Sequence, residues 1–203
     1  MKVLLINGSP HEKGCTYTAL SLIAGELKAQ GIETEILHVG GQPVGGCIGW
    51  GSGNGCVFGG VVNEAIEKAK TADAFVFGSP VHYASAAGNM ASFMDRLAYA
   101  GGKYLAYKPA AVCCSARRAG TTSTLDQLVK YPQFFHMPLV NGSYWAMVHG
   151  SNPEQVLQDA EGCAVMQELG RNMAWLLHCI EAGKAAGIDH PQNPPRPMTS
   201  FIR

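Results

Sequence analysis

An excess of charge of either sign is missing from this chain. Its 203 residues carry 15 Lys plus Arg and 15 Asp plus Glu, a formal net charge of zero. Such a balance offers no electrostatic footprint for nucleic acid or for an anionic membrane. Long apolar runs are missing too. None approaches the ~18 residues that a membrane-crossing helix needs, and Lys2 leads at once into a short strand-like run rather than a charged-then-apolar leader. A cytoplasmic protein is expected, with neither nucleic acid nor a membrane as partner. No Gly-Lys-Ser or Gly-Lys-Thr follows the first apolar run, which excludes a Walker-type phosphate loop. No nucleophile triad and no paired carboxylates stand out.

Cysteine is present, but not as a framework. Cys15, Cys47, Cys56, Cys113, Cys114, Cys163 and Cys179 are odd in number and irregular in spacing. Without a secretion signal, reduced thiols are the default. Cys113 and Cys114, neighbours in an apolar run, read as buried small hydrophobes. Charged side chains make up 15% of the chain against 47% apolar, the balance of a compact α/β protein with further surface buried by a partner. The length suits one well-buried core better than two.

Strand and helix patterns alternate along the chain. Residues 2–6 are an apolar run bounded by turn residues, consistent with a fully buried strand. Residues 16–30 place Leu20, Ile23, Ala24 and Leu27 on one helical stripe, closed by Gly31. Residues 33–39 alternate as a strand and 40–60 form a long glycine-rich loop. Residues 63–70 read as a short helix, 74–78 as a buried strand and 89–99 as a helix. Residues 110–114 are a third buried strand, followed by a helix over 121–129, a strand region over 139–148 and one long helix over 154–186. This alternation predicts right-handed βαβ units and a parallel sheet covered on both faces. Prolines at 191, 194, 195 and 197 make the end an extended arm.

Function is concentrated where strands end. The first run empties into Asn7-Gly8-Ser9-Pro10, and Cys15-Thr16-Tyr17-Thr18 then opens a helix. Helix-start N–H groups lack intrahelical partners and carry positive potential. A phosphate there would accept bonds from the backbone and from the hydroxyls of Ser9, Thr16 and Thr18. Two further strands end in small polar loops: Gly78-Ser79-Pro80-Val81-His82-Tyr83 and Ser115-Ala116-Arg117-Arg118-Ala119-Gly120. Ligands of open parallel sheets sit outside such strand ends. One planar, phosphorylated, hydrogen-bonding ligand would use all three loops. The glycines at 49, 51, 53 and 55 imitate a dinucleotide fingerprint, but they neither follow a clear strand nor open a helix.

These loops, with the stretch 90–97 that carries Phe93, Asp95 and Arg96, resemble the NAD(P)H-dependent FMN reductases and iron–sulfur flavoproteins of the flavodoxin-like superfamily. The resemblance spans roughly residues 1–148. It implies a doubly wound, five-stranded parallel sheet in the order 2-1-3-4-5 with helices on both faces. Residues 1–186 would form the FMN-binding domain and 187–203 the proline-rich arm. Ser9, His11, Cys15, Thr16, Tyr17 and Thr18 would lie at the FMN phosphate. Pro80, Val81, His82 and Tyr83 would face the ring, with Ser115, Arg117 and Gly120 on its other edge. The implied activity is ping-pong hydride transfer from NAD(P)H through FMN to a small acceptor such as flavin or a quinone. Relatives of this kind are commonly homodimers or homotetramers. The rival reading, a one-electron carrier without its own nicotinamide site, suits a strongly acidic chain, and this one is neutral.

Individual residues keep alternative readings. Arg117 is either a solvated loop cation or a partner for flavin O2 or a nicotinamide phosphate. His82 is a candidate proton donor or simply a neighbour of the ring. Trp50 and Tyr83 either stack on a ligand or belong to the core. Asp95 and Arg96 anchor their helix or a subunit contact. Two departures from the family pattern stand out. His11 and Cys15 occupy positions where a cation and an Asn are usual, which predicts a loosely held flavin. The 40–60 loop has only Cys47 and Cys56, whereas a four-iron cluster takes four thiolates. A flavin-only relative with no metal is expected.

Overall fold

Strand β1 (Lys2–Asn7) is apolar from Val3 to Ile6 because it lies inside the sheet, paired on both edges and covered on both faces. The computed structural model describes residues 1–50 and 55–200. After β1 come α1 (Cys15–Ala29), β2 (Glu33–His38), α2 (Val61–Thr71), β3 (Ala74–His82), β4 (Ser85–Ala86) and α3 (Gly88–Gly101). A 3-10 turn at Gly102–Tyr104 leads to β5 (Ala110–Ala116), α4 (Thr121–Phe134), β6 (Met147–His149), α5 (Pro153–Val156) and α6 (Ala160–Ala185). Residues 51–54 of the glycine-rich stretch and 201–203 of the arm lie outside the described residues. No described helix is long and apolar enough to cross a membrane.

The parallel strands run in the order β2-β1-β3-β5-β6, the order that the resemblance implies. The sheet has six strands rather than five, because β4 folds back antiparallel on the end of β3, pairing Val81 with Ala86 and His82 with Ser85. Side-chain alternation divides the core between two faces. Val3, Leu5, Val76 and Cys113 pack with Leu20, Ile23 and Leu27 of α1 and Met166, Leu169 and Met173 of α6. Leu4, Ile6, Phe75 and Phe77 pack on the other face with Ile66 of α2, Phe93 and Leu97 of α3 and Leu128 of α4. Cys113 and Cys114 are fully buried, and burial pushes the Cys114 thiol up to about 12 and Cys113 further in the same direction.

Three element boundaries differ from the sequence expectation. Strand β3 continues through Pro80 to His82, since the ladder pairs Pro80 with Ser115 and then turns into β4. Only Met147–His149 of the 139–148 region is a strand. Leu139 makes an isolated bridge to Ala110, and the intervening Tyr144 and Trp145 are exposed. The long C-terminal helix is broken, because Asp159 stops to cap α6, its carboxylate accepting from the Gly162 N–H at 3.0 Å.

Candidate active site

Strand order reverses between β1 and β3, the switch point at which open parallel sheets hold their ligands, outside the carboxyl ends of the strands. The loop after β1 is built by its own side chains. Asn7, fully buried, donates from Nδ2 to the Glu12 carbonyl at 2.8 Å and accepts the Ser9 N–H on Oδ1 at 3.1 Å. Ser9 Oγ accepts the His11 N–H at 3.1 Å. The chain then enters α1 through Gly14, which supplies no side-chain cap. The N–H groups of Cys15, Thr16 and Tyr17 have no intramolecular acceptor among the described residues. This is an uncapped helix start with free donors, the arrangement that takes a phosphate.

The last residue of β2 and a glycine just beyond it brace this loop. His38 Nε2 lies 2.7 Å from the Ser9 carbonyl oxygen. The Gly40 backbone lies so close to the loop that a Cβ on it would sit 2.2 Å from that same oxygen. Gly40 is held from behind, since its carbonyl accepts from Asn89 Nδ2 of α3 at 3.2 Å.

The first and third loops meet directly: Thr16 Oγ1 and Ser115 Oγ are 2.8 Å apart, both side chains buried. The Thr18 hydroxyl instead donates back to the Gly14 carbonyl at 3.2 Å. The Cys15 thiol likewise turns away, donating to the Gly150 carbonyl at 3.5 Å, and burial, with nearby Glu154, raises its pKa. Pro10, His11 and Tyr17 line the outer side of the loop with more exposure.

The second loop is a strained hairpin. Tyr83 and Ala84 connect β3 to β4 with φ of 51° and 58°, the paired left-handed geometry that Asn-Gly usually supplies. Each such residue costs about 1–2 kcal/mol. Helix α4 holds the turn in place. Ser123 Oγ donates to the Ala84 carbonyl at 2.7 Å, and Gln127 Oε1 accepts from Ser85 Oγ at 2.6 Å and the Ala86 N–H at 2.9 Å. Gly120, at φ 93°, sits against this turn: a Cβ there would lie 2.7 Å from Ala84 Cα. The hairpin presents His82 and Tyr83 outward, and the Tyr83 ring stands fully in solvent instead of in the core. Trp50 is exposed as well.

The third loop offers donors. The backbone N–H groups of residues 117–120 have no acceptor among the described residues, and neither Arg117 nor Arg118 forms an ion pair there. Both arginines are exposed. His149, at the end of β6, lies with Nε2 3.1 Å from the Arg118 carbonyl oxygen. His38 and His149 went unseen in the sequence because each works through a contact far along the chain. The Gly40-Gly41 pair just after β2 was the available signal of a close backbone approach.

Asp95 and Arg96 serve their helix. Asp95 Oδ1 accepts from Tyr131 Oη at 2.5 Å. Arg96 is buried, donating from Nε to Cys56 Sγ at 3.1 Å and from Nη2 to the Gly59 carbonyl at 3.2 Å, with Phe58 under its guanidinium.

Fold and site together define a flavodoxin-like protein with an uncapped helix start at its switch point. A family model for NADPH-dependent FMN reductases matches residues 1–152, and the chain belongs to that family. It is similar to an iron–sulfur flavoprotein of Methanocaldococcus jannaschii, at 27% identity over 192 residues, covering 89% of this chain and 100% of that one. It is also similar to an iron–sulfur flavoprotein of Archaeoglobus fulgidus, at 34% identity over 101 residues, covering 47% of this chain and 48% of the other. Among solved structures it resembles RosB with a bound formylated riboflavin phosphate intermediate (TM-score 0.69, 15% identity, covering 100% and 94% of the two chains). An NADH:FMN oxidoreductase in its apo form is similar too (TM-score 0.65, 17% identity, covering 86% and 89%).

FMN and an iron–sulfur cluster are the groups these likenesses raise. The site fits FMN: its donors are all N–H and O–H groups, matched to a phosphate at α1 and to carbonyl oxygens at residues 117–120. The 40–60 loop does not fit a four-thiolate cluster. It contains two cysteines, and the thiol of Cys56 is already engaged by Arg96.

Proposed function

We propose that this protein is an FMN-dependent oxidoreductase that takes electrons from NAD(P)H and delivers them to a small acceptor such as flavin or a quinone. Bound FMN would supply the chemistry, accepting hydride and passing it on in a ping-pong cycle. The chain's own task is orientation. The free amides of Cys15–Tyr17 carry the reading, because a dianionic phosphate would give them the acceptor that no group among the described residues supplies. Ser9, His11 and Thr16 surround that position, and Pro80 to Tyr83 form one wall for the ring. The amides of residues 117–120 provide donors for the ring's carbonyl edge. His82, exposed at that wall, is the candidate proton donor, and Arg117 the candidate cation for a ring oxygen or a nicotinamide phosphate. Exposed Phe58, Tyr83, Tyr99 and Trp175 support assembly as a homodimer or homotetramer.

The test is direct. Purified protein is loaded with FMN, freed of excess ligand, and mixed anaerobically with NADPH or NADH. Rapid loss of the flavin's long-wavelength absorption is expected with at least one of them. A yellow protein that neither nucleotide bleaches would be a carrier instead, and a protein that takes up no FMN would refute the reading entirely.

A further inference from the structure

We propose that His149 is a positioning residue for the flavin's pyrimidine edge, an assignment that rests on the FMN reading above. Strand β6 has only 3 residues, yet its end touches two of the site's loops. The His149 N–H donates to Asp159 Oδ2 at 2.8 Å, and His149 Nδ1 lies 3.6 Å from the same oxygen. On its other side the ring places Nε2 3.1 Å from the Arg118 carbonyl oxygen, where a proton on that nitrogen makes it the donor. The next residue ties in the neighbouring loops: the Gly150 N–H donates to the Ala116 carbonyl at 3.0 Å, and the Gly150 carbonyl accepts from the Cys15 thiol. Asp159 is itself held, since its second oxygen caps the 26-residue helix α6. A helix cap therefore anchors the histidine's backbone, and the histidine's ring holds a loop.

The held group matters because of peptide geometry. A trans peptide is planar, so its C=O and N–H point in opposite directions. Fixing the Arg118 carbonyl toward His149 fixes the Ala119 N–H to point away from β6. Nothing within the loop does this job, because the amides of residues 117–120 have no acceptor of their own among the described residues. Donors that face the ring's pyrimidine carbonyls favour reduced flavin, which places more negative charge there than oxidised flavin does. His149 thus bears on both the affinity and the redox preference of the site without touching the ligand.

Three variants test this in the full-length chain: His149→Ala, His149→Gln and Asp159→Asn. Each is titrated with FMN, its bound-flavin midpoint potential is measured, and its folding is checked by thermal melting. His149→Ala is expected to weaken FMN binding about tenfold. It should also lower the potential by about 30 mV, a tenfold loss of preference for reduced flavin in a two-electron couple. His149→Gln, whose amide N–H can reach the same carbonyl, should recover affinity to within about threefold. If His149→Ala does not fold, Asp159→Asn keeps the cap, weakens the anchor and should move both readouts in the same direction. A folded His149→Ala protein with unchanged affinity and potential overturns the proposal, as does a Gln variant no better than Ala. Failure of the unsubstituted chain to bind FMN would instead remove the underlying FMN reading, and that outcome is visible before any substitution is made.

Discussion

Gly40→Ala should damage FMN binding although residue 40 is outside every loop assigned to the ligand. A Cβ at this position would lie 2.2 Å from the Ser9 carbonyl oxygen, 2.4 Å from the Ser9 carbonyl carbon and 2.6 Å from the Gly8 carbonyl oxygen. All three are backbone atoms, so no side chain can swing aside. Ordinary contact would require the loop to retreat by about 1 Å. Gly40 cannot easily retreat itself, because Asn89 holds its carbonyl. The displaced loop would stretch the 2.7 Å contact between His38 Nε2 and the Ser9 carbonyl. Overpacking costs about 1–3 kcal/mol, and the lost hydrogen bond adds about 1 kcal/mol. Restoring the binding geometry against even the lower figure, about 2 kcal/mol, weakens binding roughly thirtyfold. The assay is calorimetric titration of apoprotein with FMN, with Gly25→Ala as control. Gly25 lies inside α1 with nothing within 4 Å of its would-be Cβ, so that change should raise Tm by a few degrees and leave affinity alone. Unchanged FMN affinity in a folded Gly40→Ala protein would refute the argument that β2's end shapes the anion loop.

Other outcomes follow from the same structure. Gly120→Ala combines a positive φ of 93° with a 2.7 Å clash against Ala84, and should lower stability by about 2 kcal/mol in a chemical melt. Lys2, and after it Lys68, hold the Glu35 carboxyl below its ordinary pKa. Their contribution is therefore present at neutral pH and lost as acid titrates Glu35 through its lowered folded value. Glu35→Gln should cost less than about 1 kcal/mol at neutral pH and nothing in strong acid, as read by urea melts at both. A chromophoric thiol reagent at neutral pH should modify exposed Cys179 and spare Cys113 and Cys114 until denaturant is added.

Much of this architecture was legible in one dimension. Val3–Ile6, Phe75–Phe77 and Ala110–Cys114 read as buried strands because a central parallel strand has no polar face to interrupt it. The loops after them were visible because Gly, Ser and Pro punctuate a chain regardless of context. What stayed hidden depends on contacts between distant segments. Pro80 reads as a strand end, yet β3 continues through it, and the Tyr83-Ala84 turn carries none of the Asn-Gly chemistry that signals a hairpin. Ser123 and Gln127, on a later helix, stabilise it. Thr18 reads as an anion ligand by spacing, but its hydroxyl has a nearer acceptor in Gly14. His38 and His149 show no pattern at all, since what matters is the carbonyl each one reaches.

The central claim is that a phosphate at the start of α1 anchors the ligand, and comparing FMN with riboflavin isolates that group. Fluorescence titration of apoprotein should give one FMN per chain and binding of riboflavin weaker by about two orders of magnitude, the loss of several charge-assisted hydrogen bonds. Equal affinity for the two, or no affinity for FMN, would contradict the assignment of Ser9, Thr16 and the free amides of Cys15–Tyr17 to the phosphate.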